Sequence, residues 1–199
     1  YAINGAIYVK HYSNKILIEN PGGFPDGIDE SNIITHPSIS RNKLIAETLQ
    51  KLKYVQRSGQ GVDIIFRDMI FLGKSIPAYS IYSDAITLTL KSNFEDKNFT
   101  KFLMEEQEKR QIIFNTSQTI LLKYLKNNKV ITIEEAAKCC QLSVQDTQDV
   151  INELRSYGYI EPNGFKKYIL SEKVYYELGD DVGYIKDKEI EYIRAKNLK

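Results

Sequence analysis

The sequence predicts an α+β fold in two domains. Three observations lead to this: β-rich runs and helical patterns share residues 1–92, a charged stretch follows at 93–115, and three helical patterns with a closing hairpin fill 116–178. Strands that pair with strands while helices cover them are typical of α+β layers. Residues 179–199 carry dense charge and are too few for a domain, so we expect a charged tail there.

Length and composition are those of a globular protein. With 199 residues, of which 42% are hydrophobic and 27% charged, the chain can bury the core of one large or two small domains. The net charge of +1 gives no overall field that attracts nucleic acid, so DNA binding requires a local patch. Two adjacent cysteines and two histidines suit neither a disulfide framework nor a metal cluster. No apolar run reaches membrane-spanning length, so we expect a cytoplasmic protein without metal or membrane contacts.

Strand and helix patterns alternate with turns in the first domain. Two β-rich runs joined by Ser13-Asn14 predict an antiparallel hairpin. Ser40 is expected to cap a helix over 41–52, and a second helix is expected to begin near Gly61. A second hairpin over 79–90 completes an α+β layer sandwich.

Two glycine turns stand where a backbone could hold phosphate. Gly22-Gly23 follows the second strand run, and Gly59 and Gly61 open the second helix. Glycine lets the chain approach an anion closely, and the free N–H groups at a helix start attract it. The alternative is that both are plain turns that use glycine for positive φ.

The residues around these turns resemble a bacterial group of transcriptional regulators and RecG-related ATP-dependent helicases. The resemblance rests on Ile16–Pro25, on Ser40-Arg41-Asn42 with Ile45-Ala46, and on Tyr54–Val62. Such proteins usually carry an AlbA/Schlafen-type domain before this region. The resemblance covers roughly residues 1–91 and implies a partial ATPase-like sandwich, similar to gyrase B, the ninety-kilodalton heat-shock chaperones, histidine kinases and MutL.

The resemblance also implies a degenerate nucleotide pocket. Its residues would be Glu19, Gly22, Gly23, Gly59 and Gly61. Glu19 falls nearest to the aspartate that hydrogen-bonds adenine in that fold, but glutamate is longer than aspartate. Pro21 stands where glycine is usual. The glycines fall at the two boxes that shape the pocket.

The resemblance places the helix with the general base and the Mg²⁺ ligand before the first strand. Residue 1 is Tyr rather than Met, so we expect a fragment whose general-base helix precedes Tyr1. Without that base and metal, we expect no ATP hydrolysis and no cofactor in this fragment. ATP would be a ligand of the full-length protein.

The second domain has the pattern of a winged helix-turn-helix. Helical patterns over 117–127, after Thr132 and after Ser143 precede a hairpin that turns at 162–164. Three helices followed by such a hairpin, the wing, define this motif. The segment 93–115 before it is predicted to be a linker with a helical second half.

The third helix and the wing carry the candidate DNA contacts. The polar residues expected on the exposed helix face are Gln145, Gln148, Asn152 and Arg155, with Phe165, Lys166 and Lys167 on the wing. Amide and guanidinium groups can reach base edges in the major groove, and lysines can hold phosphate. Acidic residues on the same helix would repel phosphate: Asp146, Asp149 and Glu153.

These features favour a DNA-binding regulatory fragment of a bacterial transcriptional regulator, with double-stranded DNA as partner. Gln148, Asn152 and Arg155 would read bases, while Lys166 and Lys167 would hold phosphate. The first domain would sense a nucleotide or serve as a scaffold. Two alternatives stay open: part of an ATP-dependent enzyme acting on nucleic acid, or an interaction module whose winged helix forms a homo-oligomer.

Overall fold

A computed structural model describes residues 5–55, 59–82 and 84–178, and the chain divides into two units between Lys97 and Asn98. The described part is a mixed α+β fold with two antiparallel sheets, as the sequence predicts. The expected tail over 179–199 lies outside the described residues. So do Tyr1 and the residues that precede Gly59 in the second glycine turn, Arg57 and Ser58.

The first unit contains a four-stranded antiparallel sheet with the order β1-β2-β4-β3. Its strands are β1 (Tyr8–His11), β2 (Lys15–Pro21), β3 (Ala78–Tyr82) and β4 (Ala85–Lys91). Both predicted hairpins are confirmed, and the long central strands pair along their whole length. The first hairpin turns where the Tyr12 amide donates to the Lys15 carbonyl at 2.8 Å.

Two helices accompany this sheet: α1 (Lys43–Lys51) and α2 (Gly61–Phe71). The helix-capping residue of α1 is Asn42, so the expected cap at Ser40 was wrong by two residues. The Asn42 side chain accepts from the Ile45 amide at 3.0 Å, because its extended backbone directs the amide oxygen at the first turn.

Helix α2 covers one face of the sheet. Phe66 and Ile70 of α2 are buried, and the Phe66 ring stacks on Tyr79 with 6.4 Å between centroids. The strand register places Tyr79 opposite Leu88 on β4, which lies opposite Ile18 on β2. Since side chains alternate along a strand, the residues next to these point to the other face.

The second unit combines helices with a three-stranded sheet of order β5-β7-β6. Its elements are α3 (Lys97–Arg110, of which Asn98 onward belongs here), α4 (Thr116–Asn128), β5 (Val130–Thr132), α5 (Ile133–Cys140), α6 (Val144–Ser156), β6 (Ile160–Pro162), β7 (Lys167–Leu170) and α7 (Glu172–Glu177). The expected caps at Thr132 and Ser143 are confirmed, because both side chains accept from a backbone amide of the first helical turn.

The segment 93–115, expected to be a linker, contains a core helix. Phe99, Phe102 and Leu103 of α3 are buried, and so is Glu106. Their spacing is that of one helical face, which the many charges around it conceal in the sequence. Within the described ranges, no helix has the length and apolar character needed to cross a bilayer.

Candidate functional site

The first glycine turn is partly used to hold the sheet together. Gly22 is buried with φ +94°, and its amide donates to the carbonyl of Asp84, the residue just before β4 begins. This N–H group is therefore not available to bind a ligand. Gly23 is exposed, a Cβ added to it would meet nothing within 4 Å, and its carbonyl accepts from the Arg41 guanidinium.

The second glycine turn leads into α2 and leaves space at the helix start. Gly59 has φ +72°, and a Cβ there would lie 3.6 Å from Ser38 atoms. Gly61 is the first residue of α2, and a Cβ there would meet nothing within 4 Å. The preceding residue, Gln60, makes no side-chain bond to the helix amides. Among the described residues, the first amides of α2 thus have no side-chain cap from Gln60.

One short segment connects the two glycine turns. Ser38 lies against Gly59, and Arg41, three residues later, binds the Gly23 carbonyl. The two turns are therefore linked through the backbone from Ser38 to Arg41 and through the Arg41 side chain.

Glu19 does not join this region. It pairs with Thr87 in the sheet, next to the Ile18–Leu88 pair that shares the α2 face, so it points to the opposite face. There its carboxylate lies 2.9 Å from Lys10 Nζ. The hydrogen bond and charge of Glu19 raise the pKa of Lys10. Glu19 is therefore engaged by Lys10 on the face of the sheet away from α2.

The exposed side of α6 in the second unit carries an ordered pair of amides. The Tyr168 hydroxyl on β7 donates to Gln148 Oε1 at 3.3 Å, and Gln148 Nε2 donates to Asn152 Oδ1 at 3.1 Å. Because the oxygen of Asn152 is engaged, its NH₂ group is the one left to donate outward. Gln145 and Arg155 are also exposed on α6. Sequence reasoning missed Tyr168, because its role depends on a contact between two elements.

The β6–β7 hairpin presents the two predicted lysines to solvent beside acidic groups. Lys166 Nζ lies 3.8 Å from Glu134 of α5, and both side chains are more than half exposed. Hydrogen bonds from Thr132 and the charge of Lys167 lower the pKa of Glu135. Across residues 133–170 the charged side chains are Glu134, Glu135, Lys138, Asp146, Asp149, Glu153, Arg155, Glu161, Lys166 and Lys167. Acidic groups outnumber basic ones, so only short-range contacts can favour a polyanion here.

Helix α3 carries a buried carboxylate with ionic and hydrogen-bond partners that the sequence did not indicate. Glu106 is 3% exposed and accepts from Arg110 Nε at 2.7 Å, from the Tyr159 hydroxyl at 3.1 Å and from Lys109 Nζ at 3.4 Å. Burial acts to raise the pKa of Glu106, but the hydrogen bonds from Arg110, Tyr159 and Lys109 outweigh it and lower the pKa. Burial and the same carboxylate raise the pKa of Tyr159. The carboxylate accepts these three hydrogen bonds from within the second unit, which indicates a structural role.

The other reactive groups show no site geometry. Burial raises the pKa of the Cys140 thiol to about 12, and its sulfur contacts the Ser117 carbonyl at 3.6 Å. Such a thiol is an unreactive core group at neutral pH. Among the described residues, no three His, Cys, Asp or Glu side chains come together in a way that could hold a metal ion.

Comparisons with known proteins address both units. The crystal structure of the DIP2311 protein from Corynebacterium diphtheriae is similar over 85% of this chain, with a TM-score of 0.69 and 21% sequence identity. This chain spans 35% of that longer chain, and the likeness concerns the fold. No curated protein matches the sequence. Residues 4–90 match the family described as "Putative ATP-dependent DNA helicase recG C-terminal", the region for which the sequence resembles RecG-related proteins.

Proposed function

We propose that the chain is a DNA-binding regulatory part of a bacterial transcriptional regulator, in which the second unit is a winged helix-turn-helix. The observation that carries the proposal is the Tyr168–Gln148–Asn152 hydrogen-bond chain, which fixes two amides on the exposed side of α6 beside a lysine-bearing hairpin. Pre-oriented amides on an exposed helix are suited to base edges in the major groove.

The geometry suggests a division of labour among these residues. Asn152, whose oxygen is held by Gln148, would donate its NH₂ group to an acceptor on a base edge, such as a purine N7. Arg155 lies about one turn C-terminal to Asn152 and is exposed, so it could reach a neighbouring base or phosphate. Lys166 would exchange its exposed partner Glu134 for a phosphate at little cost, because exposed ion pairs contribute little.

The lysines of the hairpin provide the test of this proposal. The double variant Lys166→Glu, Lys167→Glu is expected to lower the affinity for duplex DNA by at least about tenfold and to reduce the salt slope by about two. Fluorescence anisotropy with a labelled duplex of mixed sequence, titrated across a salt series, measures both quantities.

The matched control changes two exposed lysines elsewhere in the second unit. Lys101 and Lys173 each pair with a glutamate four residues later, and Lys101→Glu with Lys173→Glu alters net charge equally. Equal losses in the two double variants would mean that only net charge matters and would overturn the hairpin assignment. Absence of DNA binding by the wild-type chain, with a dimer in light scattering, would favour an interaction module instead.

A second proposal concerns the first unit: the Gly59–Gly61 turn and Gly23 bind the phosphates of a nucleotide, such as the ATP of the full-length protein. The uncapped start of α2 and the family match over residues 4–90 support it. Since Glu19 faces the other side of the sheet, base recognition would come from elsewhere. Hydrolysis of ATP by this chain would instead favour an ATP-dependent enzyme acting on nucleic acid.

A substitution at Gly61 tests phosphate binding without disturbing the fold. Gly61→Ala is expected to leave the thermal midpoint unchanged, because its Cβ would meet nothing within 4 Å, yet to weaken ATP binding about tenfold by crowding the phosphates. Isothermal titration calorimetry with ATP and Mg²⁺ measures the affinity. Gly59→Ala is the contrasting variant: its φ of +72° predicts a loss of stability of about 1 kcal/mol. Unchanged ATP affinity in Gly61→Ala would show that phosphate does not approach this helix start.

A further inference from the structure

The tip of the β6–β7 hairpin holds a phenylalanine in solvent. Phe165 is 87% exposed. Its neighbours both have left-handed backbone conformations, with φ +85° at Gly164 and φ +53° at Lys166. A non-glycine residue in this region is uncommon and costs conformational energy, which the surrounding structure must offset. The chain therefore maintains an unfavourable turn that keeps an apolar ring out of the core.

The backbone of the tip is braced on both sides. The Asn163 amide donates to the Lys167 carbonyl at 2.9 Å across the hairpin. The amide of Ile133, the first residue of α5, donates to the Lys166 carbonyl at 3.2 Å. Strand β7 also pairs with β5 on its other edge. An aromatic side chain on a braced backbone has only two rotatable bonds to fix, so it loses little conformational entropy when it binds.

The charges around the ring select the kind of partner. Lys166 Nζ lies 5.6 Å from the Phe165 ring centroid, and Lys167 is exposed on the adjoining strand. An apolar ring flanked by cations matches a polyanion that offers flat aromatic faces, which describes nucleic acid bases between phosphates. A purely apolar protein pocket would desolvate both cations and offer them no anionic group in exchange.

We propose that Phe165 is a wedge that enters the minor groove of duplex DNA and stacks against a base at an opened step, while Lys166 and Lys167 contact the adjoining phosphates. The inference rests on the proposed DNA-binding function. Tyr168, three residues from Phe165, bonds to Gln148 of α6, so the tip lies within about 11 Å of a residue that touches the helix expected in the major groove. Apolar wedges of this kind partly unstack a base step.

The test compares two duplexes that differ in the free energy needed to unstack a central base step. One is fully paired, and the other carries central mismatches, which lower the cost of unstacking. The wild-type chain is expected to bind the mismatched duplex about tenfold more tightly in fluorescence anisotropy. Phe165→Ala is expected to bind both duplexes equally, and Phe165→Leu to keep part of the preference because leucine is also an apolar wedge.

Control variants separate this inference from the proposed function. Ile113→Ala removes another apolar side chain of the second unit, 81% exposed, and is expected to leave the preference intact. Since Phe165 is exposed, its variants should keep the wild-type thermal midpoint. Wild-type binding that is equal for both duplexes and unchanged in Phe165→Ala would overturn the wedge while DNA binding stands. Absence of wild-type binding to either duplex would overturn both.

Discussion

Replacing Phe99 with alanine is expected to destabilise the second unit by about 3–5 kcal/mol. Phe99 is fully buried on α3, as is Leu103 one turn later. Removal of the ring loses its transfer free energy and leaves a cavity that the close-packed surroundings fill only in part. Urea denaturation followed by far-UV circular dichroism measures the change in the free energy of unfolding.

A variant on the same helix provides the control for helix propensity. Met104 is 54% exposed, and Met104→Ala is expected to change stability by less than about 1 kcal/mol. If 93–115 acted as a linker, Phe99→Ala and Met104→Ala would have equally small effects. That outcome would contradict the placement of α3 in the core of the second unit.

The elements that sequence reasoning located best are those with local signals. Thr132 and Ser143 stand directly before apolar helical spacing and cap the helices expected from them. The hairpin at Ser13-Asn14 and the α2 start at Gly61 likewise depend on neighbours in the chain. Asn42 rather than Ser40 caps α1 because two capping residues compete there, and backbone geometry decides between them.

The parts that sequence reasoning did not find depend on contacts between distant residues. The helical character expected for the second half of 93–115 is present in α3, but the burial of this helix was not expected, because the charges around its apolar face resemble those of a linker. The contact of Glu106 with Tyr159 accounts for one of these charges. The orientation of Glu19 follows from its register with Thr87, which no local pattern fixes. The Tyr168 hydroxyl orients the Gln148 amide through a hydrogen bond between two residues that are 20 positions apart and lie on different elements.

The buried carboxylate of Glu106 is the second group whose removal should have a large effect. Glu106→Ala is expected to destabilise the second unit by about 2–3 kcal/mol at neutral pH. The largest part comes from the Tyr159 hydroxyl, which stays buried without its acceptor because Tyr159 is 1% exposed. Arg110 and Lys109 are partly exposed and can be hydrated after the change, which keeps the loss below that of a fully buried ion pair.

A double-mutant cycle with Tyr159→Phe isolates this hydrogen bond. Phenylalanine keeps the ring among Phe102 and Phe114 and removes only the hydroxyl. With the donor gone, Glu106→Ala should cost less, so the two changes should be non-additive by about 1 kcal/mol in urea denaturation. Additive losses would mean that the carboxylate acts through Arg110 and Lys109 alone.

The pH dependence gives an independent check on the same carboxylate. Because the folded pKa of Glu106 lies below its ordinary value of 4.5, the unfolded chain takes up a proton first as pH falls. The contribution of Glu106 to stability is therefore present above pH 4.5 and is lost as pH falls through the folded pKa. Glu106→Gln has no such proton to gain, so its stability deficit relative to wild type should shrink on acidification. A deficit that stays constant from neutral to acidic pH would mean that ionisation of Glu106 does not contribute to stability, and would contradict its lowered pKa.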